Sequence, residues 1–152
     1  MSRFFRNPIM RYCASLVLGL FLTTIATAED KPAFDAKKLE GEWTYVSGKR
    51  AGDDANKESL QGKVTITKDM ITVPAGPDMK FIMAYKVDAK TNPVSIDIEI
   101  KDGPVKEGKA AGIIALDGDT LKLCYTAMGK RPTKFESTKE NGEFYFVLKR
   151  AK

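Results

Sequence analysis

From Trp43 onward, apolar side chains recur on every second residue, and no stretch there sustains a helical period. Val94, Ile96, Ile98 and Ile100 alternate with Ser95, Asp97 and Glu99. Phe81, Met83, Tyr85 and Val87 alternate with Lys80, Ile82, Ala84 and Lys86. Phe144, Phe146 and Leu148 do the same with Tyr145, Val147 and Lys149. Trp43 and Tyr45, Val64 and Ile66, and Ile71 and Val73 give shorter examples. Neighbouring residues of a strand point to opposite faces, so this period means strands with one dry face and one wet face.

Turn residues set how the strands pair. Asp117-Gly118 suits the two central positions of a type I′ turn, which require positive φ. Leu116 then faces Asp119, Ile114 faces Leu121 and Gly112 faces Leu123. Ile114, Leu116, Leu121, Leu123 and Tyr125 share one face, and Cys124 lies outward beside Lys122, opposite Ala111. A three-residue loop would pair Ile114 with Lys122 and mix the faces. The same reasoning at Lys68-Asp69 sets Ile66 against Ile71 and Val64 against Val73. At Asn141-Gly142 it sets Phe135 against Leu148 and Ser137 against Phe146. Asp35 to Gly41 reads as one helical turn with Asp35 as N-cap and Gly41 as stop. Asn56 to Gln61 fits one short helix.

These strands predict an antiparallel meander of about eight to ten members. A flat sheet of that size leaves its apolar face wet and two edges open; closing it on itself removes both problems. The expected fold is all-β, an antiparallel up-and-down barrel, with a two-sheet sandwich as the alternative.

The front of the chain has a different character. Arg3, Arg6 and Arg11 precede an apolar run from Ala14 to Ile25, and Ala26-Thr27-Ala28 fits a small-x-small cleavage site. That is the layout of a secretory signal peptide over residues 1–28, cleaved after Ala28. The run is shorter than the roughly 20 residues of a spanning helix, which argues against a stable membrane anchor. Residues 29–38 are expected to be a loose polar arm and residues 39–152 the barrel domain. The destination is then the periplasm or the medium. Removing residues 1–28 takes away three arginines and no acids, leaving 22 basic against 20 acidic residues, a charge of +2. That near-neutral domain lacks the concentrated basic stripe of a nucleic-acid binder. Only Cys124 remains after cleavage, so no internal disulfide forms and the core must carry stability.

Gly41-x-Trp43, at the start of the first strand after a helical turn, resembles the lipocalin signature. Lipocalins also place a basic residue late in the last strand, over that tryptophan, and Arg150 has the parity to do so. The ordered run Leu39-Glu40-Gly41-Glu42-Trp43, Asp102-Gly103-Pro104, Gly112 to Cys124, Arg131-Pro132-Thr133-Lys134-Phe135 and Leu148-Lys149-Arg150 resembles a lipocalin-like domain of unknown function known from planctomycete exported proteins. Two departures fall in loops: Glu107 lengthens the usual Pro-x-Lys-Gly spacing, and Lys68-Asp69 replaces a glycine turn. The resemblance implies a barrel and export, and no activity.

The chemistry available is narrow. The chain has no histidine, which removes Ser-His and Cys-His nucleophiles and the commonest zinc sites. No metal site and no cofactor is expected. Cys124 has no evident base and reads as a small packing residue. Asp97 and Glu99 share one wet strand face at about 7 Å, a spacing that can serve glycoside hydrolysis but is also ordinary for a solvated sheet. Asp117-Gly118-Asp119 lacks the further oxygen ligands of a calcium loop. Gly48, Gly52 and Gly62 have no phosphate-loop context. The expectation is therefore a protein without enzymatic activity.

The inward set is rich in aromatic and branched residues. Trp43, Tyr45, Phe81, Met83, Tyr85, Ile96, Ile98 and Tyr125 are the candidate lining of a barrel interior that takes a small hydrophobic molecule, with Gly41, Trp43 and Arg150 as structural signature. The alternative is a filled barrel acting as a protein-interaction or inhibitor module through loops Gly48–Gly62 and Ala127–Pro132, with Lys130 and Arg131 at the contact.

Overall fold

The structure, a computed structural model, describes residues 33–152. The expected signal peptide and residues 29–32 of the expected arm lie outside the described residues. Nine strands follow in chain order: β1 (Gly41–Arg50), β2 (Asp53–Asp54), β3 (Lys63–Ile66), β4 (Met70–Pro74), β5 (Lys80–Asp88), β6 (Val94–Asp102), β7 (Gly108–Asp117), β8 (Thr120–Thr126) and β9 (Phe144–Arg150). All neighbours are antiparallel, and β9 returns to pair with β1. Eight strands thus close an up-and-down barrel, and β2 is a two-residue flap on the end of β1. Closure leaves the eight barrel strands without a free edge, as the alternation demanded.

The dry faces meet inside. Leu39, Trp43, Val64, Ile66, Ile71, Tyr85, Ile96, Ile98, Ile114, Leu121, Phe146 and Leu148 form the buried cluster. A 3-10 turn over Ala36–Leu39 leads into β1, with Asp35 accepting from the Lys37 amide at its start. The chain just before it is not wholly loose, because Phe34 packs against the core. Glu58–Leu60 is a second 3-10 turn, and Leu60 also reaches the core.

The hairpins divide into one registered as expected, one shifted and one missing. At Lys68-Asp69, Ile66 does face Ile71, and the Thr67 amide donates to the Met70 carbonyl. At the β7–β8 turn the central residues are Gly118 and Asp119, not Asp117 and Gly118. Leu116 faces Leu121, Ile114 faces Leu123 and Gly112 faces Tyr125. The reason is conformational. Gly118 takes φ +57°, whereas Ala51 and Glu107 are the non-glycine positions of positive φ among the described residues. The turn therefore needs glycine only at its first central position, the type II′ pattern, and spares aspartate a left-handed backbone. The shared apolar face survives because the pairing shifts by two residues. Cys124 consequently lies opposite Ile113 on β7 and Tyr145 on β9, not opposite Ala111.

The hairpin expected at Asn141-Gly142 does not form. Leu148 pairs with Leu121 on one side and Tyr45 on the other, and Phe146 with Leu123 and Gly48. Both edges of β9 are taken by barrel closure, so Phe135 and Ser137 have no strand to join. Residues 127–143 instead form a strap over the outer face of the barrel. Beneath it Ile113, Cys124 and Tyr145 make a lateral row across three strands, and Phe135 lies against Tyr145 with ring centroids 6.3 Å apart. Ile113 and Cys124 are fully buried there although they face away from the barrel interior.

Candidate functional site

The two ends of the barrel differ. At the end where β1 begins, Trp43 is completely buried and its Nε1 donates to the Leu39 carbonyl at 2.8 Å. The Arg150 guanidinium lies 4.4 Å from the centroid of the indole. It donates to the Glu40 carbonyl at 3.0 Å and the Lys38 carbonyl at 2.6 Å, and its Nε is 3.5 Å from Asp119. Gly41, at φ +127°, sits so close that a Cβ there would lie 3.1 Å from an Arg150 nitrogen. One arginine thus ties the entry turn, the first strand and the β7–β8 turn into a lid, and this end is sealed.

The opposite end is lined by rings that keep part of their surface in contact with water. Across four neighbouring strands run Arg50, Phe144, Tyr125 and Gly112, paired in that order. Tyr125 stacks on Phe144 at 5.1 Å and lies 6.1 Å from Phe146, whose ring is 5.6 Å from Tyr45. A register shift between Tyr45 and Ser47 leaves Val46 exposed and turns Gly48 inward. A Cβ on Gly48 would lie 2.6 Å from the Phe146 ring, so only glycine lets the two strands carry that ring. The inward positions of β7 at this end, Gly108, Ala110 and Gly112, carry at most a methyl. Tyr45, Tyr125, Phe144, Met83 and Ala110 all face inward yet are only half-buried.

Two phenols and a guanidinium share this end of the barrel. Burial pushes the Tyr45 phenol well up; nearby Tyr125 adds to the rise and Arg50 opposes it. Burial likewise raises Tyr125, again with Arg50 opposing. Both phenols are therefore protonated donors at neutral pH. Among the described residues neither hydroxyl has a protein hydrogen-bond partner, and no enclosed side-chain polar atom is left unsatisfied.

The other expected lining residues are spread along the barrel. Tyr85, Ile96 and Ile98 are buried in the core, and the Tyr85 hydroxyl donates to the Thr67 carbonyl at 2.8 Å, so it is not free to orient a ligand. Met83 packs on the core, whereas Phe81 stands apart from it, with its ring filling the space beside Gly103. On its other side Phe81 pairs in register with Val73 of β4. Arg50 was not among the expected lining residues; the bulge after Tyr45 that brings it there leaves no mark on the alternation.

On the outer face, Asp97 is held by Arg131 at 2.6 Å and Glu99 by Lys101 at 2.9 Å. The Lys101 ammonium, hydrogen-bonded to Glu99, lowers that carboxylate's pKa. Each acid has its own cation. Arg131 also donates to the Ile96 and Gly112 carbonyls at 2.9 and 2.8 Å. It anchors the strap to the sheet and is not a free contact residue for a partner. A shallow hollow of about 610 Å³ lies along this face, with Met70, Ala84, Glu99, Lys109 and Ala111 on its walls. A second of about 380 Å³ lies at the β4–β5 loop.

The chain matches no protein-family model, no curated protein and no solved structure.

Proposed function

We propose that this chain is an exported, non-enzymatic lipocalin-like barrel that holds a small apolar or amphipathic molecule in its open end. The observation that carries the reading is the contrast between the two ends. One is sealed by Trp43, Leu39 and Arg150, while at the other a cluster of inward rings remains wetted beside small residues of β7. Apolar surface left wet in a concave wall gains free energy when a ligand replaces the water, about 25 cal/mol per Å² buried.

The test is calorimetric titration of the full chain with 1-decanol at two temperatures. Saturable one-to-one binding with a negative heat-capacity change is expected, because apolar burial carries that signature. No heat at either temperature, together with no displacement of a bound fluorescent probe, sinks the reading. Trp43 is a poor reporter here, since it lies at the sealed end; tyrosine emission is the better optical signal. The export half of the proposal predicts that protein recovered from its source begins at Glu29, read by intact mass.

A second reading, a protein-contact module, draws on the hollow over the outer face. Its contact surface would be the β4–β7 face and not Arg131, which is engaged with the sheet.

A further inference from the structure

Resting on the binding reading above, we infer that the open end selects amphiphiles carrying an anionic oxygen group, with Arg50 supplying the charge and the Tyr45 and Tyr125 hydroxyls the remaining donors.

Three arginines lie among the described residues, and they differ in what they hold. Arg131 is engaged by two carbonyls and Asp97. Arg150 is engaged by two carbonyls, Asp119 and the Trp43 ring. Arg50 has no ion pair and no side-chain hydrogen bond within the described chain. Its guanidinium lies 6.0 Å from the centroid of the Phe146 ring. It stands on the rim, in the same cross-strand row as Phe144 and Tyr125. Asp53, its strand partner in β2, has its carboxylate 3.3 Å from Lys139 instead.

The donor set fixes the sign of the ligand. A guanidinium presents a fork of N–H donors that fits a carboxylate in two parallel bonds. Two protonated phenols add donors and no charge. Arg50 opposes the rise of both phenols, so its positive charge lies near each of them. A cationic head group would meet like charge here, and a purely apolar ligand would leave the phenols and the guanidinium without partners. An anionic head at the rim satisfies all three, while an apolar body lies inward against Phe146, Leu123 and Ala110.

Decanoate and 1-decanol have the same chain length and differ in the head group, so they separate the two ideas. Both are titrated into the full chain and into Arg50→Gln at pH 7.5 and low salt. Decanoate is expected to bind the parent protein at least tenfold more tightly than it binds Arg50→Gln, with decanol unchanged. Raising the salt should weaken decanoate and leave decanol as it was. Tyr45→Phe with Tyr125→Phe should lower decanoate affinity by a smaller factor. Equal binding of acid and alcohol, or equal weakening of both by Arg50→Gln, overturns the anionic head-group site and leaves the binding barrel standing. Failure of both probes to bind the parent overturns the barrel reading itself, and this inference with it.

Discussion

At the scale of single residues, Arg150 and Cys124 show how position decides what a side chain does. Arg150 combines a cation over an indole with two hydrogen bonds to carbonyls of the entry turn. The first is worth about 0.5–2 kcal/mol, depending on desolvation, and a charged hydrogen bond to a backbone carbonyl about 1.5–3 kcal/mol when removed from a buried setting. The guanidinium is one-third exposed, so the lower ends apply. Arg150→Ala should cost about 2 kcal/mol in urea unfolding, and Arg150→Lys should recover less than half, because an ammonium lacks the planar fork. Cys124 is inert for a different reason. It is completely buried under the strap, and burial, with Glu143 beside it, pushes the thiol from 9.0 up to about 12. Raising a thiol's pKa on folding means that the unfolded chain loses the proton first. Its contribution to stability is thus fully present below pH 9 and declines as pH rises toward 12. Native protein at pH 8 should show no reaction with a disulfide reagent over hours, while protein in denaturant reacts within minutes. Urea midpoints should fall above pH 9 by less in Cys124→Ala than in the parent.

At the scale of elements, the strands were legible in the sequence and part of their pairing was not. Alternation places Ile114, Leu116, Leu121, Leu123 and Tyr125 on one face whether the turn centres on Asp117-Gly118 or on Gly118-Asp119. The two registers differ by two residues, and a two-residue shift leaves every side chain on its own face. The backbone cost of a left-handed aspartate and the identity of the facing pairs, Leu116 against Leu121 and not Asp119, separate them, and an alternation pattern is blind to both. The strap was misread for a different reason. Phe135 and Ser137 have strand-like spacing and Asn141-Gly142 looks like a hairpin, but competition for the edges of β9 is a property of the closed barrel and not of the local sequence. Arg131 ties the first part of residues 127–143 to the barrel, its guanidinium holding two sheet carbonyls and Asp97, while Glu136 and Ser137 accept from Cys124 and Gly52 further along. Arg131→Ala should free that segment without opening the barrel. Hydrogen exchange should quicken across 127–143 while β3, β4 and β5 keep their protection. Stability should fall by about 1–2 kcal/mol, because the contact is partly solvated. Uniform loss of protection around the barrel would mean that the strap and the sheet unfold as one unit.

At the scale of the whole molecule, the barrel combines one sealed end with one wetted end, and that asymmetry has a mechanical consequence. Small barrels are commonly filled by their own side chains, and in a filled interior an added side chain forces neighbours off their rotamers at a cost of about 1–3 kcal/mol. Ala110 is an inward residue of β7, half-buried, opposite Ile98 and beside Gly108 and Gly112. If the open end holds water beside it, Ala110→Leu places three carbons where water stood. Stability should then change by less than about 1 kcal/mol, or rise, since burying apolar carbon is favourable by about 0.8 kcal/mol per methylene. The same substitution should weaken decanol binding about tenfold or more by occupying its space. The paired control is Ile98→Phe, at a buried core position on the neighbouring strand, where overpacking should lower the urea midpoint clearly. A leucine at 110 that destabilises as much as the phenylalanine at 98 would mean a barrel packed solid from end to end, and the wetted rings would then be a rim and not a mouth.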